Sequence, residues 1–109
     1  MKNLRNKVQL IGNVGNDPKI QETNNGNKFV KLSIATNNSY KNKDGEKVKE
    51  TQWHPVVFWG KTAEIAEKHV VKGREIYIEG TLNHRSYEND NGEKKYVYEI
   101  VSNDLLLLN

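Results

Sequence analysis

Apolar and polar residues alternate with a period of two along most of this chain, which predicts a β protein. The first alternation covers 8–14, and the Gly-Asn-Asp-Pro that follows at 15–18 favours a turn or bulge. Asn-Asn-Gly-Asn at 24–27 predicts a hairpin turn. A second strand covers 29–36, where apolar side chains on one face alternate with polar ones on the other.

The middle of the chain contains a polar segment, a third strand and a helix. The lysine-rich segment 37–49 predicts a long, mobile hairpin tip whose positive charges attract an anion. The third strand lies in 51–61, which is rich in aromatic and β-branched residues and reaches a glycine at its end. A helix is predicted over 62–70, with Thr62 as its N-cap, acidic residues early and basic residues late.

Two further strands complete the pattern. The fourth runs from 75 through 82 to Tyr87, and the fifth covers about 95–107, with a hairpin tip at 89–92 between them. Glycines interrupt the first and fourth strands, as expected where a small sheet bends back on itself. We therefore expect an all-β fold with one short helix: a five-stranded OB-fold Greek-key barrel, forming one domain over 1–109.

The third predicted strand contains both tryptophans of the chain. Alternation divides its side chains into two faces. One face carries Trp53, Pro55, Val57 and Trp59, and the other carries His54, Val56 and Phe58. A surface strand of a small domain buries one face only, and the second set makes the better core. A row of flat aromatic rings beside positive charge is suited to stacking unpaired bases.

Composition narrows the function classes. The chain has 109 residues with 17 Lys and Arg against 14 Asp and Glu, a net charge of +3 that permits an anionic partner without requiring one. There is no cysteine, so disulfides and thiolate zinc sites are excluded. The N-terminal residues lack the apolar region of a secretory signal, and the longest apolar run, 105–108, is too short to span a bilayer. We expect a cytoplasmic protein with no membrane partner.

Candidate catalytic and metal-binding residues are few. His54, His69 and His84 lie on different predicted elements without ligand spacing, so no metal site is expected. The aspartates fall mostly in turns, where they are common. No nucleophile–base pair and no phosphate-binding glycine loop is visible. The sequence therefore predicts a binding protein without a cofactor rather than an enzyme.

Short motifs in order along nearly the whole chain are shared with a known family. They are 6–8, 12–18, 34–36, 51–54, 60–61, 63–64, 72–73, 77–80 and 85–87. On these motifs the chain resembles the bacterial single-stranded DNA-binding protein family. The resemblance implies an OB fold that forms a homotetramer and binds single-stranded DNA without sequence preference in replication, recombination and repair. It also implies association with the bacterial nucleoid.

The resemblance also implies site residues, carried over position by position. The base-stacking aromatics are Tyr40, Trp53, Trp59 and Tyr87. The contacts to the DNA backbone are Lys7, Lys61, Lys72 and Arg85. The subunit contacts are His54 and, near the same type of interface, Tyr77. Tyr40 and Tyr87 replace tryptophans of the best-known members, and Trp59 replaces a phenylalanine, but each substitution keeps a ring that can stack.

Two features depart from the family pattern. Pro55 stands where the family often has a basic or polar residue, so one phosphate contact is lost; its missing N–H predicts an unpaired edge there. Family members usually continue into a long disordered tail whose acidic tip recruits replication and repair proteins. This chain stops at Asn109. It is either a tail-less relative or a chain whose tail was removed, and such partners are expected only if a tail exists beyond Asn109.

Two other functions remain open from the sequence. One is an OB-type primosome-assembly factor, which is short, tail-less and dimeric and works mainly through protein contacts. The retained Trp53, Trp59 and Arg85-Ser86-Tyr87 disfavour it. The other is a nuclease on an OB barrel, which would need clustered carboxylates and a metal.

Overall fold

The computed structural model describes residues 5–108 and consists of strands with one helix. The elements are β1 (Val8–Val14), β2 (Gln21–Glu22), β3 (Lys28–Lys41), β4 (Lys47–Trp59), α1 (Gly60–His69), β5 (Glu75–Glu88) and β6 (Lys94–Leu107). All five predicted strands and the predicted helix are present. The two-residue β2, which pairs with the start of β3, was not predicted.

The five long strands close into a barrel. Their order is β1-β5-β6-β4-β3, and β1 also pairs with β3 through Asn13 and Ala35, which joins the two ends of the sheet. All these pairings are antiparallel except β4–β6, which is parallel and begins at Val56, directly after Pro55. The predicted five-stranded OB-type barrel is confirmed.

The core is filled from the strand faces that the alternation assigned to it. Val30, Leu32 and Ile34 of β3 are buried, and their cross-strand neighbours on β4 include the fully buried Phe58. Helix α1 adds Ala63 and Ala66, both without exposed surface, to the same cluster. Truncating a buried phenylalanine of this kind to alanine typically costs about 3–5 kcal/mol, so this cluster holds the barrel together.

Gly80 allows β5 to bend where it leaves the barrel. The register between β5 and β6 shifts between Glu79 and Gly80, as expected at a bulge. A Cβ at this position would overlap the backbone of Val101 and Ser102, so only glycine fits. The expectation that a glycine marks a bend in the fourth predicted strand holds here.

The prediction that 37–49 forms a long hairpin tip is wrong. Strand β3 continues to Lys41, β4 begins at Lys47, and the two pair residue by residue up to the turn. Only 42–46 form the turn, which is fixed because the Asn42 side chain accepts hydrogen bonds from the backbone N–H groups of Asp44 and Glu46. Backbone hydrogen bonds between β3 and β4 form these two arms of the hairpin, although the arms bury few side chains. The polar sequence of the arms therefore did not indicate that they are strands.

The predicted start of the helix is also wrong. Helix α1 begins at Gly60, with Trp59 as N-cap and no side-chain capping hydrogen bond, so Thr62 lies inside the helix. The first turn contains no acidic residue, whereas Lys68 and His69 stand in the last turn as expected. Within 5–108, this helix is too short and too polar to cross a membrane.

Candidate nucleic-acid interface

The outward face of β4 displays both tryptophans. Trp53 is 59% exposed and Trp59 is 42% exposed, whereas Val56 and Phe58 on the other face are buried. Pairing with β3 sets Trp53 beside Ala35 and Trp59 beside Phe29. The structure therefore places the two predicted stacking tryptophans on one accessible surface.

Trp59 is held by a second aromatic ring. Its ring centroid lies 5.1 Å from that of Phe29, with the planes tilted by 39°. The ammonium of Lys31 lies 5.9 Å from the centre of the Phe29 ring, within the range of a cation–π contact. Phe29 and Lys31 thus extend the row of exposed tryptophans from β4 onto β3. Neither of them was predicted as a site residue.

A groove continues from these rings onto the β5–β6 hairpin. Two adjoining hollows share four lining residues, and Phe29 and Trp59 border one of them. We define the groove by Phe29, Lys31, Val57, Trp59, Arg85 and Glu99. It crosses four strands of the barrel, β3, β4, β6 and β5, so it presents rings and charges to one elongated ligand.

Arg85 and Glu99 form an ion pair on the floor of the groove. Arg85 Nε donates to Glu99 Oε1 at 3.3 Å, and the Glu99 side chain is only 12% exposed while that of Arg85 is 50% exposed. The pair orients the guanidinium and places one negative charge among the positive ones. Glu99 was not predicted, because a single glutamate on an alternating strand carries no sequence feature that marks it.

Trp53 rests on the loop after β1. A Cβ at Gly15 would overlap the Trp53 ring, so the ring lies directly against a backbone without a side chain. The loop is tied to β3, since Gly15 N donates to Ser33 O at 2.7 Å and Asn16 Oδ1 accepts from Ser33 N at 2.8 Å. The Gly-Asn-Asp-Pro motif was predicted as a turn, and its role as a support for Trp53 was missed.

The two predicted stacking tyrosines lie in different places. Tyr87 is 48% exposed and shares the face of β5 that carries Arg85. Tyr40 is 52% exposed and pairs with Val48. By alternation Tyr40 lies on the face of the β3–β4 hairpin opposite Trp53, so the structure does not bring these two together.

Of the four predicted backbone contacts, only Arg85 lines the groove. Lys7 forms an ion pair with Glu79, Nζ to Oε1 at 3.2 Å. Lys61 is exposed near the start of α1. Lys72 is exposed after α1, and its backbone N–H donates to Asp17 Oδ1 at 3.1 Å. Contact of these three lysines with the DNA backbone remains a prediction, for DNA that extends past the groove.

The two predicted subunit contacts lie away from the groove. His54 is half-buried, with Nε2 2.9 Å from Thr36 Oγ1. Tyr77 lies on the outside of the β1–β5–β6 sheet between the exposed Ile11 and Leu106. Its hydroxyl donates to Glu79 Oε2 at 2.7 Å, and this hydrogen bond to a carboxylate raises the pKa of Tyr77 above its ordinary value.

Among residues 5–108, no three His, Asp or Glu side chains gather into a group able to hold a metal ion. In the same part of the chain, the side chains that line the groove include one carboxylate, that of Glu99. The geometry offers aromatic faces and positive charge, which suit recognition of a flexible polyanion that carries bases.

The sequence profile of the Single-strand binding protein family matches residues 5–108. The chain belongs to this family. It is 45% identical over 104 residues to single-stranded DNA-binding protein 1 of Chlorobaculum tepidum, covering 94% of this chain and 64% of that protein. It is 42% identical over 103 residues to the single-stranded DNA-binding protein of Xanthomonas axonopodis pv. citri, covering 94% of this chain and 57% of that protein. The chain thus spans about three fifths of the length of these relatives.

Solved structures resemble the whole barrel. A Plasmodium falciparum SSB in complex with ssDNA superposes with a TM-score of 0.86 at 33% identity, covering 100% of this chain and 98% of that one. A deletion mutant of the single-stranded DNA binding protein from Thermus aquaticus superposes with a TM-score of 0.82 at 29% identity, covering 95% of this chain and 50% of that one.

Proposed function

We propose that this chain is a single domain, covering 1–109, that binds single-stranded DNA without sequence preference. The observation that carries the proposal is the outward row of Trp53, Trp59 and Phe29, with Lys31 and Arg85 beside it. Rings of this kind stack on any base, and the cations attract phosphates. Membership of the family, and the likeness to an SSB solved with ssDNA, support the same function.

The spacing of the two tryptophans suits an extended single strand of DNA. Trp53 and Trp59 are six positions apart on β4, about 20 Å at the usual rise per residue. They therefore stack on different bases, each contributing on the order of 1–3 kcal/mol. Tyr87 adds a further stacking ring past Arg85. Tyr40 stacks on a base where the DNA passes the edge of the β3–β4 hairpin. Duplex DNA binds poorly, because its bases are not free to stack.

Charge supplies the remaining affinity. Lys31 and Arg85 neutralise phosphates in the groove. Lys7, Lys61 and Lys72 neutralise phosphates where the DNA leaves the groove. The affinity of such a site falls as salt rises, with a slope of about −0.7 in log K against log salt for each neutralised phosphate.

In the cell this chain coats unwound strands during replication, recombination and repair, in the cytoplasm and at the nucleoid. It acts by binding alone, without catalysis. We propose that it works as a homotetramer, with His54 and Tyr77 in subunit contacts. The exposed apolar pair that flanks Tyr77, Ile11 and Leu106, supports a subunit contact there. Light scattering tests the assembly: the mass of a tetramer is expected, and that of a dimer would favour the primosome-type alternative.

The binding proposal is tested by fluorescence anisotropy with labelled oligo(dT), the same length of mixed sequence, and a duplex, each across a salt series. Tight binding to both single strands, weak binding to the duplex and a negative salt slope are expected. Equal affinity for duplex and single strand would contradict the proposal, because stacking would then not be the basis of recognition.

A further inference from the structure

The outer part of the β5–β6 hairpin is a two-stranded ribbon with two accessible faces. Strand β1 pairs with β5 only as far as Gly80, and β4 pairs with β6 only between Ile100 and Ser102. Over 83–99, β5 and β6 therefore pair with each other and with no other strand of the described part.

One face of this ribbon belongs to the groove. By alternation it carries Asn83, Arg85 and Tyr87 of β5, with Val97 and Glu99 of β6 opposite them. The mechanism proposed above uses this front face and leaves the reverse face without a role.

The reverse face carries the most exposed aromatic side chains of the described residues. Tyr96 is 67% exposed and Tyr98 is 62% exposed, both more than either tryptophan. His84 pairs with Tyr98 across the ribbon, and their rings meet edge to face with centroids 5.4 Å apart. Leu82, 50% exposed, continues the patch toward the barrel.

The spacing of these rings suits stacked bases. Tyr96 and Tyr98 are two residues apart on one strand face, about 7 Å. Each ring can therefore stack on a separate base, or the two rings can enclose one base from both sides. The His84 ring supports Tyr98 from across the ribbon and limits its rotation. A tyrosine held in this way loses little conformational freedom on binding.

Continuity with the groove points to the same DNA strand as the occupant. The ribbon is only two strands wide, about 10 Å, and within 5–108 no other strand pairs with its edges, so a DNA strand that passes Tyr87 on the front reaches the reverse face around one edge. Charge does not add to this path, because Glu88 stands opposite Lys94 on the reverse face and Asp90 lies at the tip.

We propose that the reverse face of the β5–β6 ribbon, formed by His84, Tyr96 and Tyr98, is a second stacking surface for single-stranded DNA already bound in the groove. It rests on the function proposed above and extends it, because the strand then wraps the ribbon instead of ending at Tyr87. Its contribution comes from stacking, so it leaves the salt slope unchanged.

The test compares two oligo(dT) lengths, at the lower and upper ends of the about 4–16 nucleotides that one OB barrel covers. The double variant Y96S/Y98S removes both exposed rings without disturbing the core, and Y96F/Y98F keeps them. We expect Y96S/Y98S to bind the long oligonucleotide at least about tenfold more weakly with the same salt slope, and the short one normally. Y96F/Y98F is expected to bind both like the wild type, and I65S on the exposed side of α1 serves as a surface control.

A front-face variant separates this inference from the function on which it rests. W53A/W59A is expected to weaken binding of both lengths, and its failure to do so would overturn the proposed function itself. If Y96S/Y98S binds the long oligonucleotide normally, the proposal of a second stacking surface is overturned, whereas the proposal that the groove binds DNA is unaffected. If its only effect is a smaller assembly by light scattering, the patch is a contact between copies of this chain, and the inference is likewise overturned.

Discussion

Arg85 and Glu99 face each other across the floor of the groove, with the guanidinium Nε 3.3 Å from a carboxylate oxygen that is mostly shielded from solvent. The pair fixes the position of Arg85 before DNA arrives. It also keeps a negative charge close to the proposed path of the phosphates. In the proposed binding mode, this charge-assisted hydrogen bond must be shared or broken when Arg85 turns to a phosphate, so we expect Glu99 to limit the affinity of the site.

The first prediction concerns this pair. E99Q removes the charge while keeping an acceptor for Arg85, and we expect it to bind oligo(dT) about three- to tenfold more tightly at low salt, with the gain shrinking as salt rises. The measurement is anisotropy across a salt series. E64Q, which makes the same charge change on the exposed side of α1, is the control and should gain much less. Weaker binding by E99Q would mean that Glu99 is needed to position Arg85.

The second prediction ranks the aromatic residues. W53A and W59A should each lose on the order of 1–3 kcal/mol of binding free energy, because each removes a stacking ring. Y40A should lose less, because Tyr40 lies on the opposite face of its hairpin. Equilibrium titration of each variant with oligo(dT) gives the ranking. A larger loss for Y40A than for W53A would place the strand on the other face of the β3–β4 hairpin.

The third prediction concerns the support under Trp53. G15A adds a methyl group where the Trp53 ring lies, so the ring must move aside. We expect weaker binding of oligo(dT), by several-fold, with little change in the thermal midpoint, since an exposed ring moves more cheaply than a core residue. Anisotropy and thermal denaturation together check it. Unchanged affinity would show that the position of Trp53 is not critical.

The fourth prediction concerns pH. The hydrogen bond to Glu79 raises the pKa of Tyr77 above 10.0, so the folded protein favours the neutral phenol. This contribution to stability is complete below pH 10.0 and is lost as the pH rises through the higher pKa of the folded state. An NMR titration of the Tyr77 ring should give a midpoint above 10.0, and E79Q should lower it. A midpoint at or below 10.0 in the wild type would contradict the hydrogen bond.

Much of the fold was predictable because burial imposes a period of two on the strands. Val30, Leu32 and Ile34 alternate with polar residues, and the structure buries all three. The arms of the β3–β4 hairpin were missed because only one face of a paired strand needs to be apolar, and near the turn neither face reaches the core. The register that orders them comes from backbone hydrogen bonds, which are the same for any sequence.

The tryptophan face was predictable for the same reason, but the groove was not. Phe29 and Lys31 join Trp59 only through the pairing of β3 with β4, and Glu99 reaches Arg85 only through the pairing of β5 with β6. Contacts across strands depend on register and on closure of the barrel. Alternation along a single strand determines which face a residue occupies, and it does not determine which neighbour the residue meets.

The most direct test of the account is a titration of intrinsic tryptophan fluorescence with oligo(dT), at low and high salt, for the wild type and for W53F and W59F. Each variant leaves one tryptophan to report. The account predicts strong quenching from both positions, with an affinity that falls as salt rises. Unchanged fluorescence at saturating DNA would contradict it, because the exposed rings on β4 would then not be in contact with the bases.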